Sequence, residues 1–168
     1  MKKSILLAVA VAMLTGCGLL NNGGSTPAAT TSTTTTSNAL TSGQGAGTAL
    51  QALYTQYKAD GKYDYTNLQN AMNTVSLLSN CQGLKENYKN TTYLKDFGKG
   101  MIASSLGLVT QNNVETVTNS LVDMVKNSET VQTATTQAQS TASTAAGYAN
   151  TAAQYAGALS TILSAFGK

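Results

Sequence analysis

Apolar residues recur at intervals of three and four from Thr48 onward, which is the spacing of helices that bury one face. The first apolar stripe consists of Leu50, Leu53, Tyr54 and Tyr57. The turn at residues 60–62, Asp-Gly-Lys, is predicted to end this helix. A second helix is predicted to begin at Thr66 as its cap. Its apolar face consists of Leu68, Ala71, Met72, Val75, Leu78 and Cys81.

Two further helices are predicted by the same spacing. Residues 90–92, Asn-Thr-Thr, form a break and a cap, after which the third stripe consists of Tyr93, Leu94, Phe97, Met101, Ile102, Ser105 and Leu108. Gly98, Gly100 and Gly107 lower the helix propensity here, and we interpret them as points of close packing against a neighbouring helix. Residues 111–113 begin the fourth element, whose stripe consists of Val114, Val117, Leu121, Met124 and Val125.

The C-terminal part of the chain is rich in Ala, Thr, Gln and Ser. Small residues recur at threes and fours over 131–158, which predicts a seam for close helix packing that Gly147 either breaks or bends. The last stretch is predicted to bury Tyr155, Leu159, Ile162, Leu163 and Phe166. No segment shows the sustained alternation of a strand. We therefore predict an all-α bundle of about four to six helices.

Residues 18–46 differ from the rest in composition. They contain the only proline, Pro27, and almost no large apolar residue. Such a segment buries too little surface to offset the entropy lost on ordering. We therefore predict a disordered Thr/Ser/Gly-rich tether over residues 17–46 and a helical domain over residues 47–168. A Thr-rich glycosylated stalk is the alternative for this segment.

The N-terminus has the order of features found in export signals. Lys2 and Lys3 are followed by an apolar run of ten residues, 4–13, which is shorter than the ~20 residues that span a bilayer. The following Leu14-Thr15-Gly16-Cys17 resembles the lipobox of bacterial lipoproteins. This resemblance implies a signal peptide at residues 1–16, cleavage between Gly16 and Cys17, and lipidation of Cys17 with acyl chains such as palmitate. An ordinary secretory signal that contains a cysteine, or a core helix, is the alternative.

The same resemblance implies a location. Acyl chains on Cys17 anchor a protein in a membrane without a transmembrane helix. Gly18 follows the cysteine where an Asp tends to retain lipoproteins in the inner membrane, so the outer membrane is implied. Residues 18–22 contain no acidic cluster of the kind that resembles a surface-export signal. We therefore expect the protein to face the periplasm.

Charged residues are sparse and nearly balanced. They make up 10% of the chain, and all ten basic residues are Lys. Removal of residues 1–16 leaves eight Lys against seven Asp and Glu. A nucleic-acid partner would require clustered Lys and Arg, so this class of ligand is set aside.

Few residues carry reactive chemistry. The chain contains no histidine, the commonest general base and metal ligand, and we predict no catalytic, cofactor or metal site. Cys81 lies on the apolar face of the second helix and is predicted to be a buried thiol, with a redox role as the alternative. Asp60 and Asp64 flank a turn that is predicted to be solvated, with a weak cation site as the alternative.

Four tyrosines lie near one turn of the chain: Tyr54, Tyr57, Tyr63 and Tyr65. Tyrosines form binding platforms for glycans or peptides, and they equally cap small cores with their hydroxyl groups in water. At the other end, the terminal Lys168 resembles that of murein lipoproteins, which is joined to peptidoglycan. The long segment 18–46 and the lack of a continuous heptad coil depart from that family.

These observations favour a membrane-anchored envelope lipoprotein that is not an enzyme. Its bundle is expected to bind an envelope protein or peptidoglycan, or to serve a structural role. One alternative is a membrane-active or lipid-handling protein whose residues 155–166 lie on a bilayer. Another is a small hydrolase with an unrecognised Ser or acid site.

Overall fold

The computed structural model describes residues 31–126 and 145–167, with side chains from residue 38 onward. Within these ranges every regular element is a helix and there is no strand, which confirms the predicted all-α bundle. The helices are α1 (Thr31–Asp60), α2 (Leu68–Asn87), α3 (Thr91–Ser104), α4 (Val114–Lys126) and α5 (Ala145–Ala165). The predicted signal peptide 1–16, Cys17 and residues 131–144 of the small-residue seam lie outside the described residues.

The first helix begins well before the predicted domain boundary. α1 starts at Thr31, and Ala39 and Ala46 have no exposed surface. The prediction of a disordered tether is therefore wrong over residues 38–46, which belong to the bundle, and the domain begins before the predicted boundary at residue 47. Glycines in this stretch suggested a flexible linker, but in the fold they let α1 lie directly against α3.

Gly43 and Gly100 mark the place where α1 and α3 approach most closely. A Cβ atom on Gly43 would collide with the carbonyl group of Phe97, and one on Gly100 would collide with the carbonyl oxygen of Leu40. In both cases the obstacle is backbone, which has no freedom to rotate away. The two helices therefore touch main chain to main chain, and a larger residue at either glycine would push them apart.

α1 and α3 run parallel. One turn beyond Gly43, a Cβ on Gly47 would lie 2.9 Å from the Cα of Met101, so later positions of α1 meet later positions of α3. The Ser104 hydroxyl donates a hydrogen bond to the carbonyl oxygen of Gln44 at 2.7 Å. This bond joins the end of α3 to the middle of α1 and sets the register of the pair.

Asn67 caps α2, and the prediction of Thr66 as the cap is wrong. The Asn67 side chain accepts hydrogen bonds from the backbone N–H groups of Gln69 and Asn70, at 2.9 and 3.2 Å. The Thr66 hydroxyl instead donates to Asp64 at 2.6 Å. Thr66 is thus part of a turn, and the helix begins one residue later than expected.

The buried face of α2 is rotated relative to the prediction. Ala71, Leu78 and Cys81 are buried as expected, but Leu68 and Met72 are 48% and 43% exposed. The face that packs inward also includes residues absent from the predicted stripe: Thr74, Leu77 and Leu84. The error arises because an apolar residue at the first turn was assumed to face the core, while contacts with α1, α4 and α5 set the rotation of the helix.

The third helix largely follows its prediction. Asn90 is the N-cap, and its side chain accepts a hydrogen bond from the backbone N–H of Tyr93 at 3.2 Å. Tyr93, Phe97 and Met101 are buried. The helix ends at Ser104, so the predicted extension of the stripe to residue 108 belongs to the following loop.

The three glycines of this region have two different roles. Gly98 and Gly100 allow close packing, as predicted; a Cβ on Gly98 would lie 2.8 Å from a methyl group of Val114. The same interpretation is wrong for Gly107, which has open space around it and a φ of +84°. With Leu106 at φ +52°, it forms the left-handed turn that ends α3, a conformation that favours glycine.

α4 and α5 complete the core. Val117, Leu121, Met124 and Val125 are buried, which confirms most of the predicted stripe, and Val114 is partly buried. Tyr155, Leu159, Ile162 and Leu163 of α5 are also buried, while Phe166 is half-buried. Gly147 lies inside α5, which continues through it without a break.

Candidate binding cleft and lipid attachment segment

The described residues form an open cleft between α3 and α4 with a volume of about 510 Å³. Ligand sites in proteins commonly fall in the range of about 300–1,000 Å³. α3 and α4 approach each other closely where Val114 lies against Gly98. We call this space the α3–α4 cleft.

The α3 wall is built from two helical rows. Leu94, Gly98 and Ile102 are spaced by four residues and form an apolar floor, since residues four apart lie on the same helix face. Lys95 and Lys99 are offset by one position and form a basic rim beside it. The residues of α3 that line the cleft are Thr91, Leu94, Lys95, Gly98, Lys99 and Ile102.

The opposite wall has an apolar contact and a polar rim. Val114 and Thr118 approach the floor beside Gly98, and Glu115 lies in the first turn of α4. The residues that line this wall are Gln111, Val114, Glu115, Thr118 and Asn119. The cleft is therefore apolar at its base, basic along one edge and acidic along the other.

The two lysines of the rim are not equivalent. Lys99 Nζ lies 2.8 Å from Asp96 Oδ1, an i,i+3 ion pair with a buried carboxylate. Asp96 is only 8% exposed, so this pairing compensates a charge that would be costly to bury alone. Lys95 has no carboxylate within ion-pair distance among the described residues, and its side chain is exposed.

Cys81 occupies the interior, as predicted. Its side chain has no exposed surface, and this burial raises the pKa of the thiol well above its ordinary value. A neutral, inaccessible thiol is a poor nucleophile and a poor metal ligand. The structure therefore places Cys81 in the core and away from the α3–α4 cleft.

The predicted tyrosine cluster divides into separate contacts. Tyr54 and Tyr57 stack with ring centroids 6.5 Å apart, and the Tyr54 hydroxyl donates to the carbonyl oxygen of Phe166 at 3.2 Å. Tyr63 instead forms a hydrogen bond of 2.6 Å with Thr74, and Tyr65 is exposed. The tyrosines mainly seal the edges of the core and do not share one surface.

The turn between α1 and α2 holds no pair of free carboxylates. Asp64 accepts hydrogen bonds from the backbone N–H and hydroxyl groups of Thr66, at 2.9 and 2.6 Å. The hydroxyl bond, followed by the backbone bond, lowers the pKa of Asp64. Asp60 is exposed at the end of α1. No group of three His, Cys, Asp or Glu side chains within residues 31–126 and 145–167 is arranged to hold a metal ion.

A second recess lies between α1 and α2 and has a different chemistry. Its volume is about 450 Å³, and its lining consists of neutral side chains: Asn38, Thr41, Ser42, Ser79, Gln82, Asn87 and Tyr93, together with Gly83. A Cβ on Gly83 would collide with the Tyr93 hydroxyl. Gly83 therefore makes room for that hydroxyl, which interacts with Ser42. We call this space the polar recess.

Sequence reasoning missed both spaces. Leu94 and Ile102 were assigned to the core stripe of α3, but both are only partly buried, and they line the α3–α4 cleft. The available signal was the four-residue spacing of Leu94, Gly98 and Ile102, which places a glycine between two apolar residues on one face. That spacing alone does not tell an open cleft from a packed interface.

The apolar C-terminal stretch is part of the core. Leu159 and Leu163 have no exposed surface, and Ile162 is 6% exposed. A helix that lay on a bilayer through residues 155–166 would have to withdraw this face from the bundle first. None of the helices in the described residues is both long enough and apolar enough to cross a membrane.

Comparison with known proteins identifies the N-terminal segment. Residues 1–17 match the family described as "Prokaryotic membrane lipoprotein lipid attachment site". No curated protein and no solved structure matches the chain, so no family is assigned to the helical domain. By its N-terminal attachment site the chain is a bacterial lipoprotein, held at the cell envelope by lipid.

Proposed function

We propose that the protein is a non-enzymatic binding lipoprotein whose α3–α4 cleft receives an amphipathic helix of another envelope protein. The observation that carries this proposal is the open apolar floor formed by Leu94, Gly98 and Ile102, with Lys95 on one edge and Glu115 on the other. Grooves of this kind bind helices whose apolar anchors recur at three and four residues.

The length of the floor suits a short helical segment. Thr91 and Ile102 lie at its two ends, a separation of roughly 16 Å along α3. That length corresponds to about three turns of a bound helix. Such a helix would present three or four apolar side chains to Leu94, Ile102 and Val114.

The charges on the rims define the flanks of the partner. Lys95 on the α3 rim would pair with an acidic residue, and Glu115 on the α4 rim would pair with a basic one. Opposite charges on the two flanks set the direction in which a helix lies in a groove, because the reversed orientation brings like charges together. We therefore expect a partner helix with one acidic and one basic edge.

The absence of enzymatic activity is part of this proposal. The chain has no histidine, and its buried Cys81 is out of reach of any substrate. In the described residues, many hydroxyl groups bind their own helix backbone, as Thr55, Thr74 and Ser120 do. These features support a role in recognition over one in hydrolysis.

The anchor and its location also belong to the proposal. Cleavage after Gly16 and acylation of Cys17 would leave the bundle attached to a membrane through the residues that precede α1. Gly18 after the cysteine supports sorting to the outer membrane, with the bundle in the periplasm. Mass spectrometry of the mature protein should find an acylated Cys17 at its N-terminus; an unmodified thiol or a retained leader would contradict the anchor.

Site-specific photo-crosslinking tests the α3–α4 cleft directly. A photoreactive residue replaces Ile102 in the full chain expressed in its native envelope, and a matched variant carries it at the exposed Ser160 of α5. We expect the Ile102 position to crosslink to an amphipathic helical segment of an envelope protein. The Ser160 position should not yield that product.

Charge reversal gives the second arm of this test. Lys95→Glu should lower the yield of the Ile102 crosslink several-fold, and Lys58→Glu, at the other end of the bundle, should leave it unchanged. Crosslinks from Ile102 to residues 127–144 of the same chain, to a second copy, to lipid alone, or to nothing would each overturn the proposal.

Peptidoglycan is a second candidate partner, favoured by the polar recess. Its neutral amide and hydroxyl groups match the hydrogen-bonding groups of sugars and peptides. Co-sedimentation of the full chain with purified peptidoglycan sacculi tests this candidate. Ser79→Phe would obstruct the polar recess. If this substitution abolishes retention on the sacculi, peptidoglycan is supported as the ligand of the recess. If retention is unchanged, the recess is rejected as the site.

A further inference from the structure

One end of the bundle is defined by the chain that leads to the lipid. α1 begins there, and thirteen residues, 18–30, separate it from Cys17. α2 is antiparallel to α1, because Gly45 lies against Asn80 and Asn38 lines the polar recess together with Asn87. The turn between α2 and α3 therefore lies at the same end.

α4 also finishes at this end. Lys126, the last residue of α4, places its ammonium group 4.6 Å from the ring centre of Tyr88, which follows α2. We call the start of α1, residues 84–95 and residues 123–126 the anchor end. The opposite, distal end contains the Tyr54–Phe166 contact and residues 58–64.

The anchor end has more basic than acidic groups. Among the described residues it contains Lys85, Lys89, Lys95 and Lys126 against two carboxylates, Glu86 and Asp123. The distal turn is balanced, with Lys58 and Lys62 against Asp60 and Asp64. Among residues 31–126 and 145–167, the excess of lysine over carboxylate therefore lies beside the chain that leads to Cys17.

Tyr88 brings two of these lysines together. Lys89 Nζ lies 5.4 Å from the centre of the Tyr88 ring and Lys126 Nζ lies 4.6 Å from it. Both lysines are exposed and Tyr88 is half-buried. Tyrosine is enriched at the headgroup level of membranes, and lysine near a membrane is attracted to anionic headgroups.

We propose that the anchor end docks on anionic phospholipid headgroups of the membrane that holds the lipid on Cys17. Lys89 and Lys126 contact the phosphate groups, and Tyr88 lies at the headgroup level. Docking orients α1 away from the surface and holds the bundle upright, instead of leaving it to move freely about its anchor. Tyr88, Lys89 and Lys126 do not line the α3–α4 cleft, and the proposal depends on acylation of Cys17 but not on the occupant of that cleft.

The reach of the connecting chain permits this contact. Fourteen residue steps from Cys17 to Thr31 extend to at most roughly 50 Å. α1 itself is thirty residues long, or about 45 Å. The connecting chain is attached at the anchor end, so this end meets the bilayer with the least extension of that chain, and weak electrostatic contacts suffice there because the lipid keeps their effective concentration high.

Energy transfer on vesicles measures the docking. The lipidated mature chain with Thr92→Cys, an exposed residue at the anchor end, is labelled with a donor fluorophore; the buried Cys81 does not react. The protein is reconstituted in phosphatidylcholine vesicles with or without phosphatidylglycerol, with acceptor-labelled headgroups. We expect stronger energy transfer on the anionic vesicles, lost when salt screens the charges.

Two double variants distinguish docking through Lys89 and Lys126 from an effect of the protein's net charge. Lys89→Gln with Lys126→Gln should lower the ratio of docked to undocked protein by about fivefold for each lysine. Lys58→Gln with Lys62→Gln is the matched control, since it removes the same charge and Lys58 likewise lies over a tyrosine ring, at 5.9 Å from the Tyr54 centre. This control should leave the energy transfer unchanged.

Three outcomes would overturn the proposal. These are equal energy transfer on neutral and anionic vesicles, no effect of the Lys89 and Lys126 changes, or an equal effect of the distal changes. The Ile102 crosslink is measured on the same variants, so a failure of docking is distinguished from a failure of the α3–α4 cleft. Circular dichroism of each variant checks that the bundle is still folded.

Discussion

At the scale of single residues, the α1–α3 contact depends on the absence of side chains. Gly100→Ala would place a methyl group against the Leu40 carbonyl oxygen and 2.7 Å from the Gln44 nitrogen. Because these obstacles are backbone atoms, the helices must separate. We expect urea denaturation to show a loss of about 1–3 kcal/mol in the free energy of unfolding, the usual cost of overpacking.

Gly157 provides the matched control. It lies inside α5, and a Cβ there would have nothing within 4 Å. Gly157→Ala should therefore stabilise the protein by ~0.5–1 kcal/mol, because alanine favours the helix and has less freedom in the unfolded chain. Equal effects of the two substitutions would show that helix propensity, and not contact between α1 and α3, governs both sites.

Cys81 gives stability a dependence on pH. Burial raises the pKa of its thiol above the ordinary value of 9.0, so the folded state holds the proton more tightly than the unfolded state. The stability from the neutral thiol is complete below pH 9 and is lost as the pH rises above it. Between pH 8 and pH 10 the thiol should lose about 1.4 kcal/mol of its contribution.

The comparison with Cys81→Ala isolates this effect. The difference in free energy of unfolding between wild type and variant should shrink from pH 8 to pH 10. Burial also raises the pKa of Tyr63 and of Tyr93 in both proteins. Cys81 adds a smaller electrostatic contribution to the shift at Tyr93, so the comparison reports the thiol together with its coupling to Tyr93. A difference that stays constant over this range would show that the Cys81 thiol is accessible to hydroxide.

At the scale of elements, two substitutions test which residue caps the start of α2. Asn67→Ala removes the acceptor for two backbone N–H groups and should cost ~1 kcal/mol of stability. Thr66→Ala removes only an exposed bond to Asp64 and should cost less than half as much. Thermal unfolding of the two variants decides between the residues, and a larger effect at Thr66 would contradict the observed start of α2.

The helical stripes show why some elements were predictable and others were not. In α4 the apolar residues meet the core on one face, and the prediction is confirmed at Val117, Leu121 and Val125. In α2, Leu68 and Met72 face solvent while Thr74 is buried. Spacing predicts that a helix has a buried face, but the neighbouring helices decide its rotation when apolar residues lie on more than one side.

At the scale of the whole molecule, the first half of α1 contributes to the stability of the bundle. A chain that begins at Gly47, the predicted domain boundary, lacks the buried Ala39 and Ala46 and the Gly43 contact with Phe97. We expect it to unfold at a clearly lower temperature than a chain that begins at Thr31. Calorimetry of the two truncated chains tests this, and equal melting temperatures would restore the boundary at residue 47.

The positions of the α3–α4 cleft and of the basic anchor end could not be predicted from the sequence. Lys95 and Glu115 are twenty positions apart in sequence and line one cleft only because α3 and α4 pack side by side at the Gly98–Val114 contact. In the same way, Lys89 and Lys126 share the Tyr88 ring because two helices end at the same place. No pattern of neighbouring residues in the sequence shows that Lys95 lies near Glu115 or that Lys89 lies near Lys126.

The sequence by itself determined the features that depend on neighbouring residues. Helix-forming composition and periodic apolar stripes required an all-α fold, the export signal with Leu14-Thr15-Gly16-Cys17 marked a lipoprotein, and the apolar surroundings of Cys81 placed it in the core. Only the tertiary structure decided whether residues 38–46 pack into the bundle, where the cleft opens and which end is basic. The physical reason is that a glycine-rich segment is disordered alone but packs when a complementary helix lies against it, and distant residues meet only through that packing.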